Sequence, residues 1–124
     1  MANIIAVGLG GFLGAISRYS IGLLFTSTNS NSFPYSTLII NVFGCFLFGY
    51  FVNHNLILNT HIPLKEFLLI GILGGFTTYS TFGYEFLNLI QNQQIQSGIF
   101  YILLSLLLGI LGVLIGIKIN QIYS

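Results

Sequence analysis

Read for hydropathy alone, the chain is four long apolar runs set apart by three polar breaks. The first run covers residues 3–25 and gives way to Thr26-Ser27-Thr28-Asn29-Ser30-Asn31-Ser32-Phe33-Pro34, a linker whose proline suits the start of another helix. The second covers 35–52 and fades through Asn53-His54-Asn55, with Asn59, Thr60, His61 and Pro63 forming the next turn. The third covers 64–90 and stops at Gln91-Asn92-Gln93-Gln94-Ile95-Gln96, too polar to lie in lipid; the fourth covers 98–119. About 20 apolar residues suffice for a helix to cross a hydrocarbon core of about 30 Å. Backbone groups in lipid must be hydrogen-bonded within the protein, so spans joined by such short connections have to be helices. The pattern predicts an all-α integral membrane protein, one transmembrane domain over residues 1–124 with four spans. A removable signal peptide fits the first run poorly, because the run is long and no positive charge precedes it.

Composition sharpens this reading. The chain is 55% hydrophobic and 4% charged, with a mean hydropathy of +0.94. Soluble domains carry roughly 25% charged residues, so five charged side chains cannot keep a 13.7 kDa particle in water. A net charge of +1 leaves no basic face for nucleic acid. One cysteine excludes an intrachain disulfide, and with two histidines it forms no zinc-ligand spacing. Small residues recur every four positions at Ala6, Gly10 and Gly14 and again at Gly112 and Gly116, stripes that let helices approach closely. Orientation is weakly specified: Lys65 and Lys118 fall on one side of the membrane while Arg18 lies towards the other. A chain so balanced can insert both ways, and two opposed copies can pair about an axis in the membrane plane. The expectation is an antiparallel, dual-topology homodimer.

Polar groups at bilayer depth are costly and mark functional positions. Arg18 lies 15 residues beyond Asn3, about 22 Å along a helix, where it either snorkels to headgroups or faces an aqueous vestibule. Asn41 follows Thr37 by one turn on the same face of the second helix, as interhelical glue or as a lining group. The third run contains Gly71-Ile72-Leu73-Gly74-Gly75-Phe76-Thr77-Thr78-Tyr79-Ser80-Thr81-Phe82-Gly83-Tyr84-Glu85. Two adjacent glycines followed by four Ser or Thr within five positions predict a break near mid-membrane. Irregular backbone is tolerated there only where it binds ions or lines a cavity. The alternative is a glycine and threonine packing seam.

Three segments resemble motifs of the Fluc/CrcB family of fluoride channels, in order and over the whole chain. Gly10-Gly11-Phe12-Leu13-Gly14-Ala15-Ile16-Ser17-Arg18-Tyr19 is similar to its GGxxGAxxRY pattern, and Thr37-Leu38-Ile39-Ile40-Asn41-Val42-Phe43-Gly44 to its TLxxNxxG pattern, with Ser36 where glycine is usual. Gly74-Gly75-Phe76-Thr77-Thr78-Tyr79-Ser80-Thr81-Phe82 is similar to GGxTTFSTF, with Tyr79 in place of the first Phe. The resemblance implies an antiparallel homodimer in the plasma membrane that exports fluoride passively through two pathways, with the third helix broken and one structural sodium ion on the two-fold axis. It assigns the sodium to main-chain carbonyls of Gly74 and Thr77 from both copies, in keeping with the preference of hard cations for oxygen. Phe82 of one copy and Tyr79 of the other would flank each pathway with electropositive ring edges. Asn41, Ser80, Thr81, Thr37 and Tyr101 would supply hydrogen-bond donors, and Arg18 would concentrate anions at one mouth. Glu85 matches an acidic position of the family.

Two other readings compete. A small multidrug transporter also has four short helices, but it needs a membrane-embedded acid in its first helix, and no Asp or Glu precedes Glu66. A purely structural membrane subunit would have no use for a broken third helix. An enzyme has no support, since no pair of buried titratable groups suggests acid, base or nucleophile roles.

Overall fold

The computed structural model describes residues 1–25 and 33–123, so all but the last two residues of the polar linker predicted at 26–34 lie outside the described residues. Helix α1 (Ala2–Leu24) is followed by α2 (Tyr35–Phe51), the short α3 (Asn55–Leu58), α4 (Glu66–Leu73), the single turn α5 (Gly74–Phe76), α6 (Ser80–Gln91) and α7 (Ile95–Tyr123). Among the described residues there is no strand. Three stretches are long and apolar enough to cross a membrane: α1, the stretch from α4 to α6, and α7. Helix α2 has 17 residues, about 26 Å of rise, at the short end of what spans a bilayer.

Each helix ends where its backbone chemistry changes. Pro34, which has no amide hydrogen to lose, precedes α2, and its carbonyl accepts from Leu38 N at 3.2 Å. Helix α6 closes on Gln93, whose φ of 61° is left-handed. Gln94 N reaches back to Leu89 O and Gln93 N to Ile90 O, the paired bonds of a Schellman cap, here without the usual glycine. Helix α7 has 29 residues, beyond the apolar stretch 98–119 at both ends. Helical hydrogen bonds do not require apolar side chains, and the extra turns carry Gln96, Asn120 and Gln121.

Helix α4 is wound as a π-helix over eight residues, a wide geometry usually confined to one-turn bulges. It lies along α1 at backbone-to-backbone distance. A Cβ on Gly10 would strike the carbonyl of Phe67, one on Gly14 the carbonyl of Ile72, and one on Gly75 would sit 2.6 Å from the carbonyl of Gly11. Positions rise together along both elements, so they run parallel. A second seam joins α2 to α7, also parallel, where a Cβ on Gly49 would meet the Val113 carbonyl and one on Gly116 the Phe46 carbonyl. The two glycine stripes of the sequence are thus the contact lines of two helix pairs.

The buried core is small. Leu38, Leu89 and Tyr101 form one cluster, with Phe33, Phe82 and Phe86 against it; Ile57, Leu69 and Leu73 form another. Large apolar side chains such as Ile4, Leu9, Phe12 and Ile16 on α1 and Leu103, Leu107, Ile110 and Leu114 on α7 are exposed in the protomer. An outer surface of that kind suits lipid or another apolar surface rather than water.

Candidate functional site

The stretch from α4 to α6 leaves helical geometry at residues 77–79, where Thr77 is extended at φ −78° and ψ 156°. A break inside a membrane strands main-chain donors and acceptors, and α2 answers for two of them. Asn41 Oδ1 accepts from Thr78 N at 2.8 Å, and Asn41 Nδ2 donates to Thr78 O at 2.9 Å. One side-chain amide therefore satisfies both polar groups of one buried peptide residue, in the manner of a strand neighbour. Local bonds add to the repair. Thr77 N and Thr77 Oγ1 both donate to Leu73 O, at 3.0 and 2.9 Å. Thr78 Oγ1 accepts from Thr81 N at 3.2 Å, which caps the first turn of α6, and donates to Thr81 Oγ1 at 3.0 Å.

These bonds take away the helical partners of two of the carbonyls at the break. The amides that would close onto Gly74 O and Thr77 O belong to Thr78 and Thr81, and both donate elsewhere. Gly74 is exposed, with open space where a Cβ would stand. Main-chain oxygens are the donor type a hard monovalent cation takes, so the carbonyls of Gly74, which is exposed, and of Thr77, which is half-buried, fit the sodium ion that the resemblance implies.

Beside the break lies a groove of about 470 Å³ between α2, the stretch from α4 to α6, and α7. Asn41, Thr78, Tyr79, Phe82 and Ser105 contribute to its lining. The rings of Tyr79 and Phe82 stand 5.9 Å apart at 33°, and Phe82 also packs on Tyr101 at 5.0 Å. Ser80 and Thr81 are exposed at the start of α6. The structure thus brings Asn41, Tyr79, Phe82, Ser80, Thr81, Gly74 and Thr77 to one region.

Thr37 and Tyr101 are placed differently. Thr37 Oγ1 donates to Glu85 Oε1 at 2.8 Å and Tyr101 Oη to Glu85 Oε2 at 2.8 Å. Both hydroxyls are buried, Tyr101 completely, and their protons are committed to the carboxylate. Glu85, one turn beyond Phe82, ties α2, α6 and α7 together. Two donors on one acid also explain how a carboxylate is accommodated at this depth. Arg18 stands apart from the groove lining, half-exposed on α1. It follows Gly14 by one turn on the same face, and a Cβ on Gly14 would lie 2.8 Å from Phe76 N. Parallel packing therefore puts Arg18 about 6 Å further along, level with the break.

Thr78 and Ser105 escaped the sequence reading. Thr78 sits among hydroxyl residues that were singled out, yet its own hydroxyl is the cap of α6. Ser105 lies one helical turn after Tyr101, a spacing that could have flagged it, and its buried Oγ has no hydrogen-bond partner.

The chain matches the family model described as CrcB-like protein, Camphor Resistance (CrcB), over residues 5–117. It is 45% identical over 120 residues to the fluoride-specific ion channel FluC of Ruminiclostridium cellulolyticum, covering 94% of this chain and 90% of that protein. It is 43% identical over 117 residues to the protein of the same name from Dehalococcoides mccartyi, with 94% and 90% covered. With the FluC of Rhizobium meliloti it shares 37% identity over 124 residues, 98% of each chain.

Proposed function

This chain belongs to the CrcB family, and from that premise we propose that it is a fluoride-specific ion channel, a multi-pass plasma-membrane protein that lets fluoride out of the cytoplasm passively and is not an enzyme. The observation that carries the pathway in this reading is the groove beside residues 77–79, where the Asn41 amide braces the break and Phe82 contributes to the lining, while the exposed Tyr79 is left to meet Phe82 of an opposed copy. A dehydrated fluoride ion needs partial positive charge without a fixed cation that would trap it. Ring edges, the second Asn41 N–H and the hydroxyls of Ser80 and Thr81 supply that in combination. Thr37 and Tyr101 act in this scheme through Glu85, as buried supports of the wall behind Phe82. Arg18, level with the break, raises the local anion concentration.

Four spans, with α2 as the shortest, and an antiparallel dimer complete the proposal. Support for the second copy comes from what one protomer leaves uncovered. Ser80, Thr81, Gly83 and Tyr84 form an exposed, weakly apolar face on α6, and Tyr79 beside them is 85% exposed. Facing lipid, the Tyr84 hydroxyl would lack a partner, and those of Ser80 and Thr81 would have only Thr78 Oγ1. An opposed copy covers them and brings a second pair of Gly74 and Thr77 carbonyls, giving an oxygen set for one sodium ion. That ion would supply structural charge at the axis and hold the two breaks together. Near balance between Lys65 with Lys118 and Arg18 permits both orientations.

The test is passive efflux from liposomes holding the purified chain, loaded with potassium fluoride and triggered by a potassium ionophore. Rapid fluoride release that depends on the ionophore is expected. Retention of fluoride would overturn the proposal.

A further inference from the structure

The hydroxyls around the break differ in how their protons are used. Those of Thr37 and Tyr101 point at Glu85, that of Thr77 at Leu73 O and that of Thr78 at Thr81 Oγ1. Tyr79 is the exception at the break itself: among the described residues its hydroxyl makes no hydrogen bond. Its backbone is nevertheless held on both sides. The preceding peptide is clasped by Asn41, and Tyr79 O accepts from Gly83 N at 3.0 Å. The ring lies beside Phe82 and lines the groove. A fixed backbone, a placed ring and an uncommitted phenol together describe a donor that awaits an acceptor.

We infer that the Tyr79 hydroxyl donates a hydrogen bond to the permeating fluoride and sets how tightly this pathway holds the anion. The inference rests on the fluoride-channel reading and goes beyond it, because a phenylalanine at this position would offer a ring edge and nothing more. Fluoride is small and strongly hydrated, and an O–H donor to an ion makes a shorter, stronger bond than a neutral pair. Chloride, larger and a weaker acceptor, gains less from the same donor. The hydroxyl therefore strengthens the preference for fluoride as well as its binding.

Tyr79→Phe removes one oxygen and keeps the ring. Initial efflux from liposomes, measured against internal fluoride concentration, should show a half-saturating concentration about tenfold higher than the parent's, the loss of one bond to a charged partner. The maximal rate should be equal or greater, since the ion leaves a weaker site more easily. A tyrosine fluorinated beside its hydroxyl, incorporated at position 79 and assayed at mildly acidic pH, is a better donor and should move half-saturation the other way. Opposite shifts from the two variants support the inference, since a packing role does not track donor strength. Unchanged half-saturation in Tyr79→Phe overturns it, and so does a variant that no longer assembles, which would assign the hydroxyl to packing. A parent protein that moves no fluoride would instead overturn the channel reading itself.

Discussion

Asn41→Leu removes both bonds that brace the break while keeping a side chain of similar size. The lost contacts are those to Thr78 N at 2.8 Å and from Asn41 Nδ2 to Thr78 O at 2.9 Å. Interhelical hydrogen bonds in membranes average about 0.6 kcal/mol and reach about 1.7, whereas a buried polar group left unpaired costs about 1–3 kcal/mol. Thr78 is buried, and both stranded groups are main-chain, so the broken conformation should lose about 2–4 kcal/mol. A competitor then gains. Thr78 N can turn back onto Gly74 O and continue the helix, which recovers part of that loss and removes one of the carbonyls assigned to the cation. At 1.4 kcal/mol per factor of ten, the working conformation falls by about 30- to 1,000-fold. Fluoride efflux from liposomes should fall in proportion. Size-exclusion profiles and thermal unfolding in detergent keep lost assembly from being mistaken for lost conduction. An assembled Asn41→Leu protein that carried fluoride at the parent rate would refute the brace, whatever else the groove does.

Three further outcomes follow from the same geometry. Gly14→Leu should lower thermal stability in detergent, because even its Cβ would collide with the Ile72 carbonyl, and overpacking costs about 1–3 kcal/mol; an unchanged unfolding temperature would mean that the α1 seam gives way easily. A single cysteine engineered at the chain's end, on a background with Cys45 replaced, should be half labelled by an impermeant reagent in intact cells; labelling of every copy or of none would exclude mixed orientation. Replacing sodium by a bulky organic cation throughout purification should weaken the dimer and lower flux, with recovery on returning sodium. Indifference to sodium would remove the role given to Gly74 and Thr77.

The architecture was legible where one physical requirement dominates a long stretch. Lipid demands apolar side chains, so α1 at Ala2–Leu24 differs from the run 3–25 by one residue at each end. The helix α7 is longer because hydropathy marks where lipid ends, not where hydrogen bonding does. Glycine spacing revealed both seams but not their partners, since only the folded chain sets Gly10 against Phe67 and Gly116 against Phe46. The π winding of Glu66–Leu73 left no mark in the sequence, because it is a choice of hydrogen-bond register by the backbone. Side-chain commitments were the hardest to read. Residue type identifies Thr37 and Tyr101 as donors, but that both serve Glu85 depends on contacts 48 and 16 residues apart along the chain. The same holds for Asn41, whose motif marks it as polar at depth while its bonds to Thr78 span 37 residues.

The central claim, selective passive conduction of fluoride, is tested most directly by fluoride and chloride electrodes in one suspension of liposomes loaded with both anions. On adding a potassium ionophore, fluoride should leave quickly while chloride stays inside until detergent releases it. Comparable release of the two anions, or release of neither before detergent, would contradict the account.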